Sequence, residues 1–231
     1  MSSSWTLVLL AAGSGERLGA GVPKALVSLR GEPIVAQASR PYLSCDPRPE
    51  LLLVVPGGEH AGAIVEAVRA AGWSPRTVLG GARRRDSVRA ALAEVGSPHV
   101  LVHDAARALA DAALAERVLH AARVRGAAIP AIPLPDTLVR GEAGLVTESL
   151  SRDGVFAVQT PQGFDTNLLR RAHEEAASDW DASDDGSMVR RLGHEVVLVE
   201  GDPMNFKITW PADLERALAA LRARDPRGRL S

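Results

Sequence analysis

Short apolar runs rich in Val, Leu and Ile alternate along this chain with longer Ala-rich stretches whose apolar residues recur at helical spacing. That alternation is the pattern of repeated βα units, and it predicts an α/β fold: a mainly parallel sheet covered by helices on both faces. The predicted strands are Thr6–Ala11, Leu51–Val55, Arg76–Leu79, Val100–Val102, Ala127–Ile132 and Glu195–Val199. Helices follow most of them. Pro33 is placed to open the first and Pro211 the last, where a missing N–H has no helical partner to lose. With 231 residues, 46% of them apolar, the chain can bury one sizeable core, so residues 1–231 are read as a single domain.

From Pro133 to Thr160 the rhythm breaks into prolines, glycines and short β-prone pieces. This predicts a protruding β-arm at about residues 136–156, with Thr137–Val139 and Leu145–Thr147 pairing across a Gly141–Gly144 turn. The formal net charge is −1, which leaves no footprint for nucleic acid or for a membrane surface. No run approaches the ~20 apolar residues that span a bilayer. The apolar stretch Trp5–Ala12 has nothing basic before it and runs into Gly13, so it reads as a buried first strand and not as a leader. Cys45 is the single cysteine, which excludes an intramolecular disulfide and fits a reducing, cytoplasmic setting. Arg222–Ser231 reads as a frayed tail.

Four places carry candidate chemistry. In Leu10-Ala11-Ala12-Gly13-Ser14-Gly15-Glu16-Arg17-Leu18-Gly19, followed by Pro23-Lys24, a strand runs into small residues and then two cations. Small residues let a backbone approach phosphate, and cations then neutralise it, so the segment reads as an anion cradle. The competing reading is a tight βα turn with solvated Arg17 and Lys24. The glycine spacing is not that of the dinucleotide fingerprint, nor is Lys24 in a Walker setting. In Val102-His103-Asp104-Ala105-Ala106-Arg107 a buried strand ends in an acid, at the sheet end where ligands gather. Asp104 suits Mg²⁺, which takes one or two carboxylates plus phosphates and water; the alternative is a turn cap. His103 is read as structural. In Gly80-Gly81-Ala82-Arg83-Arg84-Arg85-Asp86-Ser87 three arginines oppose a helix macrodipole, which a bound anion relieves, although a solvated fate is expected for at least two of them. Lys207, inside the apolar Asn205–Thr209 stretch, either snorkels or points into a site. Ser183-Asp184-Asp185 is read as complementing a helix N-terminus.

Taken together and in order, the first segment with Pro23-Lys24, then His103–Arg107, Pro135-Asp136-Thr137, Gln159–Phe164 and Glu200–Asp202 with Phe206–Thr209 resemble the 2-C-methyl-D-erythritol 4-phosphate cytidylyltransferase family over about residues 5 to 222. The resemblance implies a Rossmann-like nucleotidyltransferase domain and a homodimer whose β-arms clasp each other. The substrates it implies are CTP and methylerythritol phosphate, with Mg²⁺ as cofactor, in a step of non-mevalonate isoprenoid synthesis. Ala11, Ala12, Gly13 and Gly15 would lie against the nucleotide, Gly81 and Ser87 near cytosine and ribose, and Ala105 beside the metal-facing Asp104. Arg17, Lys24 and Lys207 would be the catalytic cations. Arg107, Thr137, Arg152, Ser183 and Lys207 would hold the acceptor, Thr137 and Arg152 being the first candidates to reach a partner subunit. Ala82, Ala108, Met204 and Ser183 depart from the acid, proline, acid and threonine usual at those places; they bear on base contacts and on the acceptor pocket.

The reaction so implied needs no general base, because a phosphomonoester with a second pKa of about 6 is largely dianionic at neutral pH. Three other readings stay open on the residues: a ribitol 5-phosphate cytidylyltransferase, a non-catalytic nucleotide sensor, and an NAD-dependent oxidoreductase, the last lacking the glycine spacing.

Overall fold

A computed structural model describes residues 4–13, 15, 18–19, 21–176, 180 and 182–224. Its strands are β1 (Thr6–Leu10), β2 (Ser28–Leu29), β3 (Glu32–Pro33), β4 (Glu50–Val55), β5 (Arg76–Leu79), β6 (His99–Asp104), β7 (Ala127–Pro133), β8 (Leu138–Glu142), β9 (Leu145–Leu150), β10 (Phe156–Val158), β11 (Gln162–Asp165) and β12 (Val197–Glu200). Its α-helices are α1 (Ile34–Ser39), α2 (His60–Ala70), α3 (Arg84–Glu94), α4 (Ala112–Arg125), α5 (Thr166–Glu175), α6 (Asp185–Arg191) and α7 (Pro211–Arg224). Pro33 sits just before α1 and Pro211 opens α7, as their ring geometry favours.

The order β5-β4-β1-β6 is parallel throughout, and β12 is parallel to β7. Period-2 alternation feeds two cores. Leu7 and Leu9 of β1 and Leu51, Leu53 and Val55 of β4 pack with Ile64 and Val68 of α2 and Leu114 and Val118 of α4 on one face. Val8, Leu52, Val54, Val100 and Val102 pack with Val88 of α3, Leu169 of α5 and Met188 of α6 on the other. Helix ends are secured locally: Asp111 accepts from the Leu114 N–H at 2.7 Å and Asp165 from that of Leu168 at 2.9 Å.

Two features differ from the sequence expectation. First, β11 runs antiparallel between β6 and β7, in a stretch that carries no strand signal. It needs none, because Gly163 lets α4 press directly on it; a Cβ there would meet Leu101 Cδ2 at 2.9 Å and Val118 Cγ1 at 3.0 Å. Second, the arm is a separate hairpin of β8 and β9, but its register pairs Leu138 with Leu150 and Glu142 with Leu145, not Thr137–Val139 with Leu145–Thr147. The turn is tighter than expected, with Ala143 (φ 49) and Gly144 (φ 81) both left-handed, and a shift between Arg140 and Gly141 absorbs the odd residue.

His103 lies fully buried on β6, tilted against Tyr42 with ring centroids 5.5 Å apart. Its Nε2 is 3.2 Å from the Arg107 carbonyl, which must accept, so Nε2 carries the proton and Nδ1 accepts from the Thr160 hydroxyl at 3.0 Å. It is structural, as read. Burial, with Arg107 nearby and against the opposing pull of Asp104, pushes its pKa down to about 4. An exposed histidine titrates near ~6.5, so the unfolded chain binds the extra proton between those values, and His103 costs stability as pH falls through that window. The urea-unfolding free energy is therefore expected to fall from pH 7 to pH 4.5 more steeply in the wild type than in His103→Gln, by on the order of 2 to 3 kcal/mol. Equal slopes would exclude this origin.

Candidate active site

The carboxyl ends of the parallel strands meet in a cleft of about 720 Å³. Parallel register sets Leu10 of β1 beside Asp104 of β6. The ladder then continues one step past each strand, Ala11 N–H to the Val54 carbonyl at 2.9 Å and Ala105 N–H to that of Leu10 at 3.1 Å. These bonds fix the backbone of the first and second candidate segments side by side. The cleft is lined by Ala11, Ala12, Gly13, Gly15 and Lys24 from the first segment, by Gly81, Ala82, Arg83, Arg84 and Ser87 from the third, and by Asp104, Ala105 and Lys207.

Glycines decide how closely these parts approach. Gly15 has φ +69, and a Cβ on it would fall 2.4 Å from Lys24 Cβ, so the loop folds back onto the lysine stem. The Lys24 ammonium donates to the Ile208 carbonyl at 2.9 Å, which ties the N-terminal loop to the segment before α7. A Cβ on Gly80 would lie 2.4 Å from that of Ala12, so the β1 and β5 loops touch. Ser87 accepts from the Gly81 N–H at 3.1 Å, closing the turn into α3.

The charges are ordered around Asp104. Arg84 Nε donates to Oδ1 at 3.1 Å and the Lys207 ammonium to Oδ2 at 2.8 Å, while the Asp104 N–H donates to the Thr160 hydroxyl at 3.0 Å. Burial alone would raise the Asp104 pKa, but Arg84 and Lys207 outweigh it and hold the carboxyl well below its usual range. The described lining residues include four cations, Lys24, Arg83, Arg84 and Lys207, and one carboxylate, Asp104, a balance that favours a polyanionic guest. No group of three or more His, Cys, Asp or Glu side chains able to hold a metal exists among the described residues. Asp104 is the one carboxylate among the described lining residues, and of the roughly four acceptor sites of a carboxylate two are taken by Arg84 and Lys207.

Arg17 lies outside the described residues. Arg107, Thr137, Arg152 and Ser183 do not line the cleft of the single chain. Arg107 donates to the carbonyls of Asn205 at 2.7 Å and Val158 at 3.1 Å, Arg152 to that of Pro135, and Ser183 is exposed beside Asp184. Asp184 caps α6, accepting from Ser187 N–H at 3.0 Å. The expectation that at least two of the three consecutive arginines are solvated does not hold. Arg83 is exposed and pairs with Asp86, but Arg85 is buried and donates to the Trp180 carbonyl, and Arg84 bridges Asp104 and Asp185. The role of Arg84 was missed, as was that of Thr160; the only local signal for Arg84 is its place in the first turn of a helix facing the cleft.

Residues 5–223 match the family model described as IspD: 2-C-methyl-D-erythritol 4-phosphate cytidylyltransferase. A "Bifunctional enzyme IspD/IspF" of Anaeromyxobacter dehalogenans is 45% identical over 94% of this chain, which spans 56% of that longer protein. A 2-C-methyl-D-erythritol 4-phosphate cytidylyltransferase of Nocardia farcinica is 43% identical over 93% of this chain and 92% of its own length. Among solved structures, the cytidylyltransferase of Thermus thermophilus superposes with a TM-score of 0.78 at 37% identity, covering 93% of this chain and 98% of that one. The chain belongs to the 2-C-methyl-D-erythritol 4-phosphate cytidylyltransferase family.

Proposed function

We propose that this protein transfers a cytidylyl group from CTP to 2-C-methyl-D-erythritol 4-phosphate, forming 4-diphosphocytidyl-2-C-methyl-D-erythritol and pyrophosphate. The reading is carried by the cleft, in which Lys24 and Lys207, from opposite ends of the chain, are held by fixed partners at the carboxyl edge of the sheet. A phosphate oxygen of the acceptor forms a bond to the α-phosphorus as the bond to the bridging oxygen of pyrophosphate breaks. The acceptor phosphate brings its own negative oxygen, so the cleft has to supply position and positive charge. Lys24 and Arg17 meet the triphosphate, and Lys207 the acceptor phosphate. The small residues Ala11–Gly13 and Gly81 let backbone N–H groups come close to the nucleotide. Mg²⁺, held by Asp104 and the triphosphate, would supply further charge neutralisation.

Arg107, Thr137, Arg152 and Ser183 complete the acceptor pocket in a homodimer. What supports the dimer is the arm: a two-stranded hairpin is marginal by itself, and this one exposes Val139, Leu145 and Val146, the last two by 72% and 67%. No described helix is long and apolar enough to cross a membrane. The single cysteine supports a reducing setting, and the cytoplasm is the location proposed.

Pyrophosphate release from CTP and Mg²⁺ is expected with methylerythritol phosphate and not with ribitol 5-phosphate; the reverse preference would overturn the acceptor, and release with neither would overturn the activity. Lys24→Ala is expected to lower turnover by about 100-fold, the ~3 kcal/mol typical of one preorganised contact to developing charge. Near wild-type turnover would remove Lys24 from the mechanism. Arg152→Ala is expected to raise KM for the acceptor by about 10-fold or more while leaving the CTP dissociation constant within about two-fold, as read by calorimetry; selective loss of CTP binding would contradict the assignment.

A further inference from the structure

From the cleft wall, ionisable side chains form an unbroken line into the protein. The Lys207 ammonium meets Asp104 at 2.8 Å, Asp104 meets Arg84 Nε at 3.1 Å, Arg84 Nη1 meets Asp185 Oδ2 at 2.8 Å, and Asp185 Oδ1 meets His173 Nε2 at 3.1 Å. The outer three side chains are exposed at the cleft, Lys207 by 42%, Asp104 by 12% and Arg84 by 28%, whereas the inner two, Asp185 and His173, are buried at 1% and 2%. The five residues come from the α7 approach, β6, α3, α6 and α5, so no local sequence element needs them together.

Arg84 is the joint of this line. Its rigid planar guanidinium presents two separate nitrogens, Nε and Nη1, to two carboxylates and so fixes their spacing, whereas a lysine offers one nitrogen on a flexible stem. Asp185, the first residue of α6, gives it the inner partner and is itself immobilised. The buried Gln162 amide donates to Asp184 Oδ2 at 2.8 Å and its oxygen accepts from the Gly186 N–H at 3.2 Å, clasping α6 on both sides of Asp185. Gly186 leaves no slack, since a Cβ there would lie 2.9 Å from Ile129 Cγ2 on β7. A buried carboxylate fixed this firmly fixes the arginine. The arginine fixes Oδ1 of Asp104, leaving Oδ2 turned to the lysine.

We infer that Asp185 and Arg84 are positioning residues for the transfer step, acting through Asp104 to hold the Lys207 ammonium where the acceptor phosphate and the α-phosphorus meet. The inference rests on the cytidylyl-transfer reading for its chemistry. Neither residue is a catalytic residue in this scheme. The alternative is that the line serves stability alone, which would leave Lys207 indifferent to Asp185.

The test is a double-mutant cycle on this chain with Asp185→Asn, Lys207→Ala and the pair, assayed by steady-state pyrophosphate release. Asp185→Asn is expected to lower kcat by about 10-fold with KM for CTP changed less than about two-fold, and to cost nothing further once Lys207 is alanine. Unchanged kcat, or the same loss in both backgrounds, overturns the inference. If Asp185→Asn does not fold, Arg84→Lys takes its place in the cycle, keeping the charge while losing the rigid two-nitrogen fork. A second readout does not depend on turnover: the rate of reductive methylation of Lys207 in the free protein, followed by peptide mass spectrometry. It is expected to rise about 3-fold or more in Asp185→Asn as the ammonium loses its fixed, charge-assisted partner, and an unchanged rate overturns the inference. Wild-type protein that releases no pyrophosphate, but shows this change in methylation, would remove the transfer reading and leave the positioning line standing.

Discussion

The carboxylate of Asp104 is shared by two cations from distant parts of the chain, Arg84 and Lys207, both of which line the cleft. Removing a carboxylate from water costs several kcal/mol unless paired charge and hydrogen bonds offset it. Here both oxygens are engaged and the backbone N–H is satisfied by Thr160, so the acid stays ionised where burial would otherwise favour its neutral form. If either cation were lost, the carboxylate would be left under-paired and its burial would push it toward the neutral form. Much of the rest of the architecture exists to keep this pairing in register: the β1–β6 ladder sets its height, α3 delivers the arginine, and the bond from Lys24 to Ile208 steadies the segment that carries Lys207.

Such a site suits anionic substrates for a simple reason. Phosphates repel one another, and a preorganised set of cations removes that repulsion without having to reorganise during reaction. The same cations would repel each other in the empty cleft, and Asp104 limits that cost. Pairing to an internal acid therefore makes a cationic pocket tolerable to the fold while leaving it receptive to a polyanion.

How much of this was legible in the sequence depended on distance along the chain. The first segment announced itself, since Gly13 and Gly15 directly follow a strand and Lys24 comes before the next one. Asp104 did so too, by ending an apolar run. Arg84 did not: Arg83, Arg84 and Arg85 are the same residue in a row, and their different fates are set by Asp185, Asp86 and the Trp180 carbonyl. The strand β11 was hidden because Gly163 is chosen for closeness to Leu101 and Val118, not for β-propensity. In the arm, the existence of the hairpin was readable from its turn residues, but the left-handed Ala143 shortened the turn and moved the pairing. A resemblance spread over ordered motifs reached further than local pattern did, because each motif records contacts made elsewhere in the fold.

The contact between Gly80 and Ala12 has a consequence for how such a protein changes over generations. With only 2.4 Å between the methyl of Ala12 and the place where a side chain at Gly80 would begin, neither loop can gain bulk unless the other yields. The two positions, far apart in the gene, are one steric unit. Drift at either is arrested by its neighbour, so the mouth of the cleft keeps its width while the surfaces around it are free to diverge.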